Sequence, residues 1–238
     1  MKYRLDQLLV QKGLAPTRSQ AENLIRLGEV LVNQKVATKT GQTVDELAVI
    51  TVTAKEQYVS RAGLKLASVA QKLGLDFDGK VVLDVGSSTG GFTQYALQHG
   101  ALKVLAVEVG TNQLHSSLHG NPQIELHEQT DIRDFQTSDK IDLVVADVSF
   151  ISLRQILPAV RRLSNSKTIL AVMVKPQFEA SHHDFKHKGV IKNDKIRRQI
   201  FKDFEDWSKD YFVIKDKADS EVSGFKGNRE RFYLLQRN

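Results

Sequence analysis

Cysteine is absent from the 238 residues, only one tryptophan and four prolines occur, and long apolar runs are missing. Without cysteine the chain has no disulfide, no catalytic thiolate and no cysteine-based zinc site, which fits a reducing compartment. The longest uninterrupted apolar run, Ile169–Val174, is far shorter than the roughly 20 residues that cross a bilayer. The first four residues lead into no long apolar stretch. We therefore expect a soluble, cytoplasmic protein with no membrane partner and no disulfide partner.

The charge of the chain is mildly basic, with 34 basic residues, 28 acidic residues and a formal net charge of +6. Basic residues exceed acidic ones in residues 1–58 and again in 175–238, whereas residues 59–174 are balanced. This distribution suits a small-molecule pocket set between surfaces that face a nucleic acid. Unpatterned lysines on solvated faces would give the same distribution, so charge alone does not identify the partner.

Residues 1 to about 55 read as a small module of helices followed by strands. Apolar residues at helical spacing predict a first helix that ends at Gly13. Thr17 and Gln20 resemble a capping box that opens a second helix, with Gly28 just past its end. The β-branched runs 30–32 and 49–52, separated by a polar turn over 33–41, predict short strands.

From residue 64 onwards the chain alternates strands and helices, which is typical of a parallel sheet with helices on both faces. Apolar runs predict strands over 80–85, 103–109, 124–127, 141–146 and 167–174, and helices over 92–98, 113–118 and 153–163. Pro158 lies within the last of these helices, so we expect a kink or an opening there. Residues 212–214 and 231–235 predict a closing antiparallel pair.

The most informative stretch is Val81–Thr93, an apolar strand that ends in an acid and continues into a glycine-rich turn. Such a turn lets a ligand approach the backbone at the carboxyl edge, where open α/β sheets bind. The spacing from Gly86 to Gly90 differs from the G-x-G-x-x-G of dinucleotide sites. Asp84 beside it suits a cation, so we expect S-adenosylmethionine, whose ammonium and sulfonium groups are positive. A tight turn without any ligand is the alternative.

Two further acids follow predicted strands. Glu108 comes about twenty residues after the glycine turn, where nucleotide-binding sheets place an acid that accepts hydrogen bonds from ribose hydroxyls. Asp131 follows the third strand and could accept a hydrogen bond from an adenine amino group. Either acid could instead be a solvated residue of a loop.

Histidines and aromatics give weaker signals. The pairs His115 and His119, and His183 and His187, have helical spacing for a metal, but no third ligand accompanies them. We therefore expect no metal site. Residues 181–188 read as a basic loop that could touch RNA phosphate, and Phe178 could stack on a flipped base or simply bury an edge of the domain.

Motif order and spacing resemble the TlyA family, on Asp84–Thr93, Ala146–Ser152, Val174–Glu179 and Gly227–Glu230. Members of that family are ribosomal RNA 2′-O-methyltransferases with an N-terminal S4 RNA-binding domain and an FtsJ-like catalytic domain, often labelled haemolysins. Residues 4–33 are similar to the S4 domain and residues 58–66 to the joining segment. The resemblance covers essentially the whole chain.

The fold that the resemblance implies is α/β: a Rossmann-like, FtsJ-like S-adenosylmethionine-dependent methyltransferase sheet with a small N-terminal α+β S4 domain. The implied domains are 1–58 and 59–238, with a joining segment at about 55–63. The family's Lys-Asp-Lys-Glu catalytic tetrad matches Lys65, Asp147, Lys175 and Glu230. A neutral lysine in this set could take the proton of a ribose hydroxyl.

The remaining expected site residues belong to cofactor and RNA. The cofactor set is Asp84, Gly86, Ser88, Gly90, Gly91, Phe92, Glu108, Asp131 and Asp147. The RNA-binding set is Arg4, Arg18, Arg26, Lys35 and Lys188. Three positions depart from the family pattern, because Glu108 stands where aspartate is expected, Asp131 where asparagine is more frequent, and residues 112–114 lack the usual glycine.

The sequence therefore predicts S-adenosylmethionine-dependent 2′-O-methylation of ribose in ribosomal RNA. The resemblance suggests a cytidine of 16S or 23S RNA, or of both, with ribosomal RNA or a ribosomal subunit as partner. One alternative is an RNA-binding ribosome-assembly factor whose methyltransferase fold is inactive. A haemolysin or cytolysin is a weaker alternative, because the chain has neither a spanning segment nor an obvious amphipathic excess. The target nucleotide and the oligomeric state stay open.

Overall fold

The computed structural model describes residues 2–15, 17–26, 28–53, 58–180, 189–224 and 227–238, without the side chains of residues 19, 23 and 26. The chain divides into two compact units, Met1–Arg61 and Ala62–Asn238. Each unit has its own cluster of buried apolar side chains. Each therefore has a hydrophobic core of its own.

The first unit consists of two helices and two small antiparallel sheets. Its elements are β1 (Lys2–Arg4), α1 (Leu5–Gln11), α2 (Arg18–Arg26), β2 (Val30–Val32), β3 (Lys35–Val36), β4 (Thr43–Asp45) and β5 (Ile50–Val52). β1 pairs with β4, and β2 lies between β3 and β5. The apolar faces of both helices, including Leu5, Leu9 and Ile25, are buried in the core of this unit.

Local signals explain most of these elements. The Thr17 hydroxyl accepts a hydrogen bond from the Gln20 backbone N–H at 3.3 Å, which is the N-cap half of the predicted capping box. β3 falls within the segment predicted as a polar turn. It forms because Asn33 and Gln34 both adopt positive φ, the geometry of a two-residue hairpin turn.

A buried carboxylate lies at the start of α1. Asp6 is fully buried and accepts hydrogen bonds from the guanidinium of Arg4 at 2.8 and 3.1 Å and from that of Arg18 at 2.9 Å. The hydrogen bond from Arg4, assisted by Arg18, lowers the pKa of Asp6 to about 2. The two arginine side chains nevertheless stay 45% and 52% exposed. Asp6 thus orients two cations that remain accessible to solvent.

The second unit is an α/β sheet flanked by helices. In chain order its elements are α3 (Arg61–Ala70), β6 (Val81–Val85), α4 (Gly91–Gln98), β7 (Lys103–Val107), β8 (Ile124–His127), β9 (Leu143–Ala146), α5 (Leu153–Leu163), β10 (Ile169–Val174), α6 (Pro176–Glu179), α7 (Asp194–Ser208), β11 (Phe212–Asp219) and β12 (Arg231–Arg237). The strand order is β11-β12-β10-β9-β6-β7-β8.

Strand direction decides where a ligand can bind. The five strands from β10 to β8 pair in parallel. β12 runs antiparallel to β11, which confirms the predicted closing pair, and it also runs antiparallel to β10. The chain proceeds from β6 outwards to β7 and β8, and then returns to the other side of β6 with β9. The order therefore reverses between β6 and β9, and such a switch point is where open α/β sheets bind ligands at their carboxyl edge.

The helix predicted over residues 113–118 is wrong. The segment contains only a 3-10 turn, Ser116–Leu118. The backbone N–H groups of Asn112 and Gln113 instead donate to the Glu128 carboxylate at 2.8 and 2.9 Å. This carboxylate lies beyond β8, so the interaction that prevents the helix comes from a distant part of the sequence.

The opening expected at Pro158 is also wrong, because α5 runs unbroken through this residue. Proline removes one helical hydrogen bond. The same helix buries a face that includes Ile156, Leu157 and Val160, and each such side chain contributes about 1.5–3 kcal/mol when it is fully buried. Burial outweighs the lost hydrogen bond.

The core of the second unit allows a stability test. Phe204 of α7 is fully buried, with its ring centroid 6.0 Å from that of Trp207 and 5.2 Å from that of Tyr233. We expect Phe204→Ala to lower the free energy of unfolding by about 3–5 kcal/mol, measured by urea denaturation with Trp207 fluorescence. The control Phe150→Ala removes a ring that is 92% exposed and should cost less than about 0.5 kcal/mol. Equal losses in the two variants would contradict this assignment of the core.

Candidate active site

A cavity of about 390 Å³ opens at the carboxyl edge, next to the ends of β6, β7 and β9. This volume lies within the roughly 300–1,000 Å³ typical of small-molecule sites. Five residues expected to bind a cofactor line it: Gly86, Ser88, Glu108, Asp131 and Asp147. The others expected there, Asp84, Gly90, Gly91 and Phe92, are buried beside the lining. The Phe92 ring packs in the core, 5.9 Å from that of Phe232.

Two glycines let the turn after β6 lie close to its neighbours. Gly86 has φ 78°, and a Cβ atom there would lie 3.0 Å from the Asp147 carbonyl oxygen and 3.2 Å from Val148 Cγ1. Gly90 has φ 88°, and its Cβ would lie 2.5 Å from Leu118 Cδ1. A side chain at Gly86 would therefore separate the turn after β6 from the loop after β9, which together border the cavity.

Glu108, which follows β7, fixes a second loop of the cavity. Its carboxylate is buried and accepts hydrogen bonds from the backbone N–H of Ser88 at 2.9 Å and of Gly110 at 2.8 Å. The Ser88 hydroxyl donates to Gln113 Oε1 at 3.1 Å. Each carboxylate oxygen can accept more than one hydrogen bond, so Glu108 can hold its loops and still receive a hydroxyl group.

Asp84 is the most strongly perturbed acid at this edge. It is fully buried, and its Oδ2 accepts a hydrogen bond from the Thr93 hydroxyl at 2.6 Å. Burial, together with the negative charges of Asp147 and Glu108, raises the pKa of Asp84 to about 7. Among the described residues, Asp84 Oδ1 and Ser87 Oγ are buried without a hydrogen-bond partner. Buried polar atoms in this state commonly meet a ligand or an ordered water.

The four tetrad positions form two ion pairs. Lys65 Nζ lies 2.6 Å from Glu230 Oε2, and Lys175 Nζ lies 2.5 Å from Asp147 Oδ1. Lys175 also donates to the Ser149 hydroxyl at 2.8 Å. The side chains of these four residues are between 1% and 13% exposed. The pairs are therefore largely removed from water. Ionic interactions are stronger in such a low-dielectric environment than in water.

Strand register brings the two pairs to the same place. β9 and β10 run in parallel, with Ala146 opposite Val172, so β10 extends two residues beyond β9 and Asp147 and Lys175 follow neighbouring strand ends at the carboxyl edge. On the other side of β10, Val174 lies opposite Arg231 of the antiparallel β12. Glu230, which precedes Arg231, is therefore next to Lys175 at the carboxyl edge. Three of the four side chains are placed by the sheet, and Lys65 reaches them from α3.

Glu179, at the end of α6, links two segments at the carboxyl edge of the sheet through hydrogen bonds. Its carboxylate is almost completely buried and accepts hydrogen bonds from the Ser152 hydroxyl and the Leu153 backbone N–H, both at 2.6 Å. Arg154 lies 3.7 Å away, and burial raises the pKa of Glu179. Glu179 thereby caps the first turn of α5 and connects the segment after Lys175 to the loop after β9.

Several residues behave differently from their sequence-based interpretation. Asp131 lines the cavity, but its carboxylate is also held by the Arg133 guanidinium at 2.6–3.1 Å. Phe150 was not singled out, yet it is 92% exposed at the cavity, with φ 65° and its ring 5.3 Å from that of Phe178. An exposed aromatic in the motif Ala146–Ser152 was the signal that could have revealed it.

The structure places the residues expected to bind RNA in different environments. Arg4 and Arg18 are held by Asp6, and Lys35 is exposed on β3. The Arg26 side chain and all of Lys188 lie outside the described residues.

The histidine pairs considered as metal ligands also differ. His183 and His187 lie outside the described residues. His115 contacts the Ser117 hydroxyl, and His119 contacts the Leu114 carbonyl oxygen. Over the described ranges, no group of three or more His, Asp or Glu could hold a metal ion.

The sheet, its switch point and the acid-lined cavity define an α/β methyltransferase of the Rossmann-like type. More specifically, the chain belongs to the family of FtsJ-like methyltransferases, whose model matches residues 58–237, and it carries an S4 domain over residues 4–50. The family membership agrees with the resemblance seen in the sequence.

Individual relatives cover nearly the same length. The chain is 39% identical to the 23S rRNA (cytidine-2′-O)-methyltransferase TlyA of Campylobacter jejuni, over 96% of this chain and 98% of the relative. It is 36% identical to the 16S/23S rRNA (cytidine-2′-O)-methyltransferase TlyA of Mycobacterium tuberculosis, over 82% and 75% respectively. A solved structure, provisionally described as a hemolysin from Streptococcus thermophilus, superposes with a TM-score of 0.75 at 33% identity, covering 100% of this chain and 89% of that one.

The raised pKa of Asp84 gives a pH-dependent prediction. Below pH 3.8, the pKa of Asp84 in the unfolded chain, the carboxyl is protonated in both the folded and the unfolded state. Its burial then has no charge-related cost. As the pH rises to about 7, the unfolded chain ionises first, and the folded protein loses stability relative to Asp84→Asn. At about 1.36 kcal/mol per pKa unit, the difference in free energy of unfolding between wild type and Asp84→Asn should reach a few kcal/mol. Urea denaturation at pH 5 and pH 7.5 measures it, and a constant difference between the two proteins would contradict the assignment.

Proposed function

We propose that this protein transfers a methyl group from S-adenosylmethionine to the 2′-hydroxyl of a ribose in ribosomal RNA. The target would be a cytidine of 16S RNA, 23S RNA or both, as in the names of the Campylobacter and Mycobacterium relatives. The observation that carries the proposal is the pair of buried ion pairs, Lys65 with Glu230 and Lys175 with Asp147, beside a cofactor-sized cavity. We place the reaction in the cytoplasm, where bacterial ribosomes are assembled.

The residues around the cavity fit S-adenosylmethionine. Asp84, Asp147 and Glu108 are close enough for their charges to interact, and a cationic ligand would relieve that repulsion. Glu108 would accept hydrogen bonds from the ribose hydroxyls, and the turn at Gly86 would admit the methionine part. Asp131 would face the adenine. When bound, S-adenosylmethionine supplies an electrophilic methyl group.

The chain's own residues would orient the acceptor and remove its proton. A ribose hydroxyl must be held in line for methyl transfer and must lose its proton as the new bond forms. Lys175 has a fixed position, because its amine contacts both Asp147 and Ser149. We assign Lys175 as the proton acceptor, which requires it to be neutral at the moment of transfer.

The two ion pairs define the surroundings of this amine. Asp147 holds Lys175, and Glu230 pairs with Lys65. We propose that bound RNA covers this edge and places the acceptor hydroxyl at the Lys175 amine.

The first unit would anchor the RNA. Arg4 and Arg18 are held in place by Asp6 and are about half exposed, so they are preorganised for phosphate contacts. Lys35 adds an exposed cation on β3. The S4 domain match over residues 4–50 supports this role. We propose residues 1–58 as the RNA-binding domain and residues 59–238 as the catalytic domain.

The two alternative functions would give different experimental results. An inactive RNA-binding assembly factor would bind RNA without methylating it, and a cytolysin would release vesicle contents without RNA. No described helix has the length and apolar character needed to cross a membrane. The deciding experiment incubates the protein with labelled S-adenosylmethionine and unmodified ribosomal subunits, followed by mapping of the methylated nucleotide. Binding without label transfer would overturn the enzymatic proposal.

Cofactor binding can be tested at the glycine turn. We expect Gly86→Val to abolish S-adenosylmethionine binding in calorimetry, because the new side chain would meet the Asp147 backbone at a position with φ 78°. The control Gly120→Ala alters a glycine that also has positive φ but no atom within 4 Å of an added Cβ, and it should still bind. Circular dichroism establishes that both variants fold. Wild-type affinity in a folded Gly86→Val protein would refute the pocket assignment.

Two substitutions distinguish whether Lys175 acts through its basicity or through its positive charge. We expect Lys175→Met to retain binding of cofactor and RNA but to lower the methylation rate by about 10²–10⁴-fold, the usual loss for a general base. Lys175→Arg should also fail, because guanidinium stays protonated. Single-turnover methylation at saturating RNA and cofactor measures both variants. A near-normal rate for Lys175→Arg would show that Lys175 only attracts or orients the RNA.

A further inference from the structure

A group of cations lies beyond the cavity, at the start of α7. Lys192, Lys195, Arg198 and Lys202 are all exposed, as is Arg229 in the segment before β12. Across the described parts of the chain, none of the five forms an ion pair, although Lys202 interacts electrostatically with Asp206 four residues later in α7. We call Lys195, Arg198 and Lys202, with Lys192 and Arg229 at their start, the α7 basic face.

Helical spacing places three of these cations on one side. Lys195, Arg198 and Lys202 are three and seven residues apart, so their side chains project from the same face of α7 over about 10 Å. The opposite side of the helix carries Ile200 and Phe204, which are buried in the core. The basic face is therefore directed to solvent by the packing of the helix.

The basic face begins at the active-site edge. Asn228 is buried, and its side chain accepts a hydrogen bond from the Ile191 backbone N–H at 3.0 Å and donates to the Gly189 carbonyl oxygen at 2.9 Å. This residue lies two positions before Glu230 of the tetrad. The same junction therefore brings Arg229 and Lys192 together next to the ion pairs, and α7 leads away from them.

Other surfaces of this unit carry both paired and unpaired cations. Lys103 pairs with Glu125 and Arg133 with Asp131, whereas Lys140, Lys167 and Lys215 form no ion pair with any described residue. The α7 basic face differs from these surfaces in the density of its cations. Residues 192–202 contain five cations and a single acid, Asp194. That acid binds Arg197 on a different side of the helix.

We infer that the α7 basic face is a second RNA-binding surface, which contacts the phosphates of the strand that leaves the methylated nucleotide. The inference rests on the proposed function, because the RNA chain must continue away from the ribose that reaches the tetrad. Exposed cations that form no ion pair, arranged in line from the reacting edge, match a polyphosphate backbone. This surface belongs to the second unit, whereas Arg4 and Arg18 belong to the first.

The test neutralises three cations of the face in the full chain, as Lys195→Gln/Arg198→Gln/Lys202→Gln, because glutamine keeps the helix propensity. Affinity for unmodified ribosomal RNA is measured over a range of salt concentrations, together with methylation kinetics. We expect the Kd and the KM for RNA to rise at least about tenfold, and the slope of log Kd against log salt to fall by about 2–3 units. The kcat at saturating RNA and the affinity for S-adenosylmethionine should stay close to wild type.

A matched control changes the same net charge elsewhere, as Lys140→Gln/Lys167→Gln/Lys215→Gln. These lysines are exposed, and Lys140 and Lys167 precede β9 and β10 at the opposite edge of the sheet. Weaker RNA binding in the α7 variant alone supports the surface. Equal weakening in both variants, or no weakening in either, overturns it. Wild-type methylation in the same assay tests the proposed function separately, since the binding measurements require no catalysis.

Discussion

The parallel pairing of β9 with both β6 and β10 is the constraint on which the site depends. It brings the ends of three strands to one edge, so that Gly86, Asp147 and Lys175 follow one another across the sheet. The antiparallel return of β12 then adds Glu230 to this edge from the far end of the chain. A shift of one residue in any of these ladders would turn side chains to the other face of the sheet. The register of the sheet therefore fixes the geometry of the tetrad.

Buried charge determines how that edge works. A buried ion pair gains little net stability, but loss of one partner leaves an uncompensated charge and costs about 3–5 kcal/mol. The pairs Lys65 with Glu230 and Lys175 with Asp147 thus depend on each partner being present. The described lining of the cavity includes Glu108, Asp131 and Asp147 but no lysine or arginine, a composition that suits a positively charged ligand. In our proposal the ion pairs serve methyl transfer, and the acids that line the cavity serve ligand selection.

Contacts with RNA are distributed between separate surfaces in our proposals. In the first unit Asp6 fixes two arginines before any RNA arrives, which reduces the entropy lost on binding. In the second unit the cations of the α7 basic face form no ion pair with any described residue, so in our proposal they are available to phosphates. Preorganised arginines would give orientation, whereas unpaired cations would give affinity that depends on salt.

The sequence by itself determined the local structure and the family. Periodicity and turn chemistry identified the strands of the second unit, the glycine turn after Val85, the helix start at Thr17 and the closing antiparallel pair, because these signals lie within a few residues of one another. Tertiary structure alone decided that Glu128 prevents a helix at Asn112, that Arg133 holds Asp131, and that the tetrad divides into two ion pairs. It also decided the pKa of Asp84, since removal of water from a carboxylate depends on strands and loops that pack around it from distant parts of the chain.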